Sequence, residues 1–137
     1  MERRHRKILD TLSKIAIDVK PVSNAKLASA IVYKNDIVSF GMNRKKSHPF
    51  HAKYGKNEDC IYLHAETDAI KNALKRISQE ELAKSTLYIC RVKHPDHQDK
   101  NYIWGLSKPC SGCARAIAAF GIKKVVYTCD DGTYKYL

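Results

Sequence analysis

The chain has 137 residues, 44% of them hydrophobic, with only four prolines and six glycines, which suits one globular unit and excludes both two domains and a disordered chain. Its 25 Lys and Arg against 14 Asp and Glu give a net charge of +11, a surface that attracts polyanions, nucleic acid above all, although simple solubility or a single phosphate site would also account for it. No apolar run approaches the roughly 18 residues of a membrane span, and the start, MERRHRKILDTLSK, lacks the apolar stretch and cleavage site of a secretory signal, so a cytoplasmic protein with no membrane partner is expected.

In chain order, Ile8, Leu9, Leu12, Ile15 and Ala16 recur at helical spacing over residues 5–18, with Pro21 as the stop. LASAIVY (27–33) and IVSFGMN (37–43) are β-rich runs separated by Lys34-Asn35-Asp36, which predicts a hairpin. Residues 44–63 form a long polar segment, and loops of that length in compact domains are usually functional. A second helix is predicted from about Leu63 to Ile77, burying Ala65, Ala69, Ala73, Leu74 and Ile77. STLYICRV (85–92) then predicts a strand, followed by a polar stretch (93–101) and a short extended YIWGLS. A third helix is expected from near Pro109, which suits a first helical position, to Gly121, which suits the residue just past a helix end. KKVVYT and TYKYL flank Cys129-Asp130-Asp131-Gly132 as a closing hairpin. The order of helix, two strands, helix, strand, helix, two strands predicts an α/β fold in three layers (α-β-α). One five-stranded mixed sheet would carry helices on both faces and end in an antiparallel hairpin, with residues 1–137 as a single unit.

Two motifs carry the chemistry. His64-Ala65-Glu66 opens one predicted helix and Pro109-Cys110-Ser111-Gly112-Cys113 opens another, at the sheet edge where open α/β folds hold ligands. Cys110 and Cys113, at i and i+3, put both sulfurs on one side of a first helical turn. The electropositive helix N-terminus there favours the thiolate that zinc requires. Of five cysteines, Cys60, Cys90 and Cys129 stand singly, and the odd count argues against a disulfide framework. A Cys-x-x-Cys pair alone could equally be a redox pair or half of a structural zinc knuckle. Here a knuckle lacks its fourth ligand, whereas His64, Cys110 and Cys113 as three ligands leave the fourth position of a single catalytic Zn2+ open to water. Glu66, two residues past the histidine, lies close to that position yet off the ligand direction. It is the expected catalytic residue, a general acid and base.

His-x-Glu followed by Pro-Cys-x-x-Cys is the zinc deaminase signature, and from about Leu27 onwards the chain resembles the cytidine deaminase-like superfamily. That resemblance implies a hydrolytic deaminase. It also implies that the backbone N–H of Ala65 meets the pyrimidine carbonyl and that Ser107 lines the base pocket. Gly41-Met42-Asn43 looks like the Gly-x-Asn of tRNA-adenosine and deoxycytidylate deaminases, where the Asn contacts the sugar; a strand-ending turn residue is the plainer reading of Asn43. Residues 93–106 intervene before the Pro-Cys motif, unlike most deoxycytidylate deaminases. The closing hairpin resembles free cytidine and toxin-type DNA deaminases, but His64 does not fit the three-cysteine free cytidine enzymes.

The resemblance favours conversion of cytosine to uracil over adenine. Residues 44–56 bring Arg44, Lys45, Lys46, Lys53 and Lys56, with no acid, among His48, Phe50, His51 and Tyr54. Cations with interleaved aromatics are what single-strand binding uses. A cytosine in single-stranded nucleic acid, DNA before RNA, is therefore the expected substrate. A free nucleotide or nucleoside, dCMP or cytidine, is the alternative, since one or two of those lysines would hold one phosphate. Trp104 could stack on a base or belong to the core. A third reading, a zinc-keeping nucleic-acid-binding module without catalysis, leaves Glu66 without a purpose. Oligomeric state is left open.

Overall fold

The computed structural model describes residues 2–18, 26–43, 64–95 and 101–137. Its elements are α1 (Glu2–Ile17), β1 (Lys26–Tyr33), β2 (Asp36–Met42), α2 (Ala65–Ala73), α3 (Gln79–Ala83), β3 (Thr86–Lys93), β4 (Ile103–Gly105), α4 (Ser111–Ala119), β5 (Lys124–Thr128) and β6 (Tyr134–Tyr136). The sheet runs β2-β1-β3-β5-β6, with β4 also on β3. Six strands form where five were expected. The extra one is β4, within the extended YIWGLS stretch, and its pairing of Arg91 with Gly105 and Lys93 with Ile103 occupies the part of β3 beyond Ile89, where the pairing with β5 ends. The closing hairpin is as expected: β5 and β6 pair antiparallel, Val126 opposite Tyr136.

Strand alternation makes the sheet two-faced. Ala28, Ala30 and Val32 of β1, Tyr88, Cys90 and Val92 of β3, and Val126 of β5 pack under Ile8, Leu9, Leu12 and Ala16 of α1. The intervening Ile31, Leu87, Ile89, Val125 and Tyr127 pack against Ala69, Ile70 and Ala73 of α2, Leu82 of α3 and Ile117 of α4. This is the three-layer arrangement, with α1 on one face and α2, α3 and α4 on the other.

Two helix boundaries differ from expectation. The apolar spacing that suggests one helix to Ile77 is broken after Ala73, and α3 starts afresh under its own capping box: Ser78 Oγ accepts the Glu81 N–H (3.1 Å) and Glu81 Oε1 accepts the Ser78 N–H (3.0 Å). At α4, Pro109 lies outside the helix, because Cys110 is the N-cap, its sulfur accepting the Cys113 N–H. Gly121 (φ 75°) closes α4 in the left-handed region, as its position suggested. The β1–β2 turn is tighter than expected: Lys34 and Asn35 both take positive φ, 49° and 72°, the backbone of a two-residue type I′ hairpin. Among the described residues no helix is long and apolar enough to cross a membrane.

Topology decides where the site lies. β2 and β3 are each antiparallel to β1 and so run the same way. The C-terminal ends of both strands therefore share one sheet edge. α2, after β2, and α4, after the β3–β4 pair, lie on the same face and begin at that edge, bringing His64 and Cys110 together from distant parts of the chain.

Candidate active site

α2 is held on the sheet by close backbone contact and by hydrogen bonds from serines. A Cβ on Gly41 would lie 2.2 Å from the Ala65 carbonyl oxygen and 2.3 Å from the Ala69 nitrogen, both backbone of α2. Only glycine permits that approach. On either side the Ser29 hydroxyl donates to the Ala65 carbonyl (2.5 Å) and the Ser39 hydroxyl to the Ala69 carbonyl (2.8 Å), both serines buried. Asp68, 1% exposed, accepts the Met42 N–H at 3.0 Å and so ties the end of β2 to the first turns of α2. The result is a helix start with little freedom to shift, and it carries His64 and Glu66.

His64 is the N-cap of α2 in extended backbone conformation and makes no side-chain cap bond, so its imidazole is directed elsewhere. The opposite wall is fixed through Ser107. Its buried hydroxyl donates to the Ile89 carbonyl (2.9 Å) and accepts the Thr128 N–H (2.8 Å), which anchors the approach to α4 on both β3 and β5. Three residues later Cys110 caps α4, and Cys113 lies fully buried one turn on.

His64, Cys110 and Cys113 present their ligand atoms within 4.8 Å of one another. His64 Nδ1 lies 3.2 Å from Cys113 Sγ and 3.5 Å from Cys110 Sγ. The donor set, one imidazole and two sulfurs converging at two helix N-termini, suits zinc, and these three residues are positioned to bind one metal ion. The two sulfurs share a proton unequally. Hydrogen bonding from the Cys113 thiol, with a further contribution from His64, holds Cys110 down at about 3. The same bond, together with burial, pushes Cys113 up. That proton must leave before both sulfurs act as ligands. Glu66 is 4% exposed in the first turn of α2. Burial raises its pKa, opposed by the adjacent His64. A carboxyl whose proton is held more tightly in this way suits a group that takes up and releases a proton during a reaction.

The other expected contacts fall in different places. Ala65 is buried at the first helical position, where its N–H has no acceptor within the helix. Asn43 follows β2, and its side-chain oxygen accepts the Leu27 N–H (3.0 Å), which ties the end of β2 to the start of β1. Ser107 has its hydroxyl engaged within the sheet, as above. Trp104 lies on the α1 face, opposite the metal cluster, packed against the α1 core with its indole N–H on Ser13 Oγ at 2.7 Å; this is the core alternative. Arg44, Lys45, Lys46 and Lys53 lie outside the described residues. Sequence reasoning missed Ser29, Ser39 and Asp68. An acid in a first helical turn advertises only favourable charge at a helix start, and no spacing reveals that Asp68 reaches back to β2.

Comparison with known proteins agrees with this geometry. Residues 2–129 match the family described as cytidine and deoxycytidylate deaminase zinc-binding region. A cytidine deaminase from Burkholderia pseudomallei superposes with a TM-score of 0.66 at 19% identity, over 97% of this chain and 91% of its own. A dCMP deaminase from the cyanophage S-TIM5, in apo form, gives a TM-score of 0.56 at 26% identity, over 92% and 86%. The same enzyme in complex with dCMP and dUMP gives 0.53 at 25% identity, over 92% and 79%. No curated protein sequence matches the chain.

Proposed function

The chain belongs to the cytidine and deoxycytidylate deaminase zinc-binding family, and from that premise we propose that it hydrolyses cytosine to uracil in a phosphate-bearing substrate, releasing ammonia. The observation that carries this reading is the cluster itself: three ligand atoms within 4.8 Å at two helix N-termini, beside a carboxyl buried to 4% exposure. Zinc held there supplies Lewis acidity that lowers the pKa of water towards neutrality. Glu66 takes a proton from the attacking water and delivers it to the ring nitrogen N3, then takes the proton of the new C4 hydroxyl and delivers it to the departing amine, so that the C4–N bond breaks to ammonia as the C4 carbonyl forms. The Ala65 N–H donates to the ring carbonyl and holds the base in orientation. The pins from Ser29, Ser39 and Gly41 keep His64, Ala65 and Glu66 in one frame, so that little reorganisation accompanies the reaction.

A free monophosphate of the dCMP type is the first choice of substrate, supported by the likeness to the cyanophage dCMP deaminase over 92% of this chain. A cytosine in single-stranded nucleic acid is the second, supported by the +11 net charge and the acid-free run from Arg44 to Lys56. Zinc-loaded protein is incubated in parallel with dCMP, cytidine and a cytosine-containing oligonucleotide, each product read by the one-unit mass gain of amine-to-carbonyl exchange. Conversion of dCMP supports the first reading, and conversion of the oligonucleotide alone supports the second. Conversion of none of the three, in protein that retains zinc, refutes both.

A further inference from the structure

The N-terminal half of α1 carries a second concentration of charge, on the sheet face opposite the metal cluster. α1 holds Arg3, Arg4, Arg6, Lys7 and Lys14 against Glu2 and Asp10. Arg3, Arg4, Arg6 and Lys7 are exposed, and among the described residues none of the four makes an ion pair. Arg4 is engaged with Asn35 at the β1–β2 turn. The Arg6 guanidinium lies over the Trp104 ring, 5.2 Å from its centre.

Two clefts meet at Arg3. One, of about 490 Å³, lies between α1 and β6 and is lined by Arg3, Arg6, Thr133, Tyr134 and Tyr136. The other, of about 460 Å³, lies on the opposite flank of the helix, where Arg3, Lys7, Thr11 and Asn35 line it. Each falls in the size range of small-ligand sites, about 300–1,000 Å³. In the first cleft Tyr136 is 62% exposed. Its ring is braced at right angles by Tyr134 (centroids 6.2 Å apart) and by His5 (5.7 Å). His5 is itself held by the Tyr88 hydroxyl at 2.6 Å. An exposed, braced ring beside cations that form no ion pair among the described residues is the pairing that single-stranded nucleic acid uses, phosphates on cations and base faces on aromatics. An acidic peptide would leave the ring unused, and a duplex hides the faces of its bases. Two adjoining clefts offer more than one nucleotide unit a place.

We propose that this surface binds single-stranded nucleic acid, with phosphates on Arg3, Arg6 and Lys7 and a base stacked on Tyr136, separately from the base presented to His64, Cys110 and Cys113. The proposal is independent of which cytosine substrate is deaminated. The test uses full-length zinc-loaded protein and a fluorescent oligothymidylate, which has no cytosine to engage the metal site. Binding is followed by anisotropy as salt is varied. Wild type should bind with log affinity falling linearly in log salt. The double variant Arg3→Ala/Arg6→Ala should lower that slope by about 1.4, at about 0.7 per phosphate contact on single strands. Tyr136→Ala should weaken binding about fivefold or more with the slope unchanged, and Tyr136→Phe should restore it. Unchanged zinc content and melting temperature show that the variants fold. The proposal is overturned if wild type does not bind oligothymidylate at low salt, if duplex binds as well as single strand, or if the variants keep the wild-type affinity and slope. If no cytosine substrate is deaminated but these shifts are seen, the enzymatic reading fails and the surface stands.

Discussion

Gly41→Ala tests the claim that backbone contact between β2 and α2 sets the active-site geometry. The new methyl would start 2.2 Å from the Ala65 carbonyl oxygen and 2.3 Å from the Ala69 nitrogen, and reaching ordinary contact near 3.4 Å requires α2 to retreat by about 1 Å. Neither obstacle is a flexible side chain that could swing aside. The retreat stretches the hydrogen bonds from Ser29 and Ser39 to the same helix. Overpacking costs about 1–3 kcal/mol and each weakened bond up to about 1 kcal/mol, so a loss near 3 kcal/mol is expected. Function should suffer beyond stability, because His64 and Glu66 move with the helix while metal–ligand distances tolerate only about 0.2 Å. A displacement of about 1 Å at the reacting groups costs about 10²-fold in turnover. Urea denaturation gives the stability, elemental analysis the zinc content, and turnover of the best cytosine substrate the activity. Gly105→Ala is the control, since the nearest atoms to its Cβ would be in the flexible side chains of Arg91 and Lys93, at 3.2–3.3 Å. A Gly41→Ala protein with wild-type urea midpoint, full zinc and full turnover would refute the reasoning.

Three further substitutions probe the site and the core. Glu66→Gln should keep zinc and fold while turnover falls by about 10²–10⁴-fold; retained turnover would remove Glu66 from proton transfer. Cys110→Ala removes a metal ligand and the N-cap of α4 at once, so zinc content and melting temperature should fall together, and a full zinc complement would contradict the ligand assignment. Cys90, buried under α1 and pushed up to about 11 by that burial, should resist iodoacetamide at pH 8 in the native protein and react once unfolded. Because the folded state binds this proton more tightly than the unfolded one, the Cys90 contribution leaves stability unaffected below about pH 9. It then lowers stability as pH rises towards 11, by up to about 1.4 kcal/mol per unit, a slope that Cys90→Ala should reduce.

The strands and the motif-bearing helices were legible because period-two and helical spacing are local signals, and because His-x-Glu and Pro-Cys-x-x-Cys each open an element. The capping box of α3 was equally present as Ser78-Gln79-Glu80-Glu81, but continued apolar spacing to Ile77 masked the break. Strand β4 was read only as extended, since three residues carry too little pattern to show a partner, and its place depends on where β5 leaves β3 unpaired. Trp104 shows the limit of proximity along the chain. It lies five residues before Pro109, yet strand alternation puts it on the same side as Val92, its partner across β3–β4, and so under α1. Ser107 shows that a residue on the way to the metal motif is also tied into the sheet. Its hydroxyl joins β3 to β5, contacts that depend on tertiary structure alone.

The register of β1 connects the remote hairpin turn to the metal cluster. Ala28 and Ala30 face α1 and Ser29 faces α2, so a slip of one residue would turn the serine hydroxyl into the apolar α1 layer and remove its bond to the Ala65 carbonyl. That register is set by the two-residue Lys34-Asn35 turn, which pairs Tyr33 with Asp36, and the pairing carries through a shift at Ile31/Val32 to Ser29 opposite Gly41. Ser29 and Gly41, the two residues against which the start of α2 rests, are therefore brought side by side by a turn at the far end of the strands. Arg4 grips that turn from α1 through Asn35. A helix with no residue in the active site thus helps to fix the alignment on which His64 and Glu66 depend.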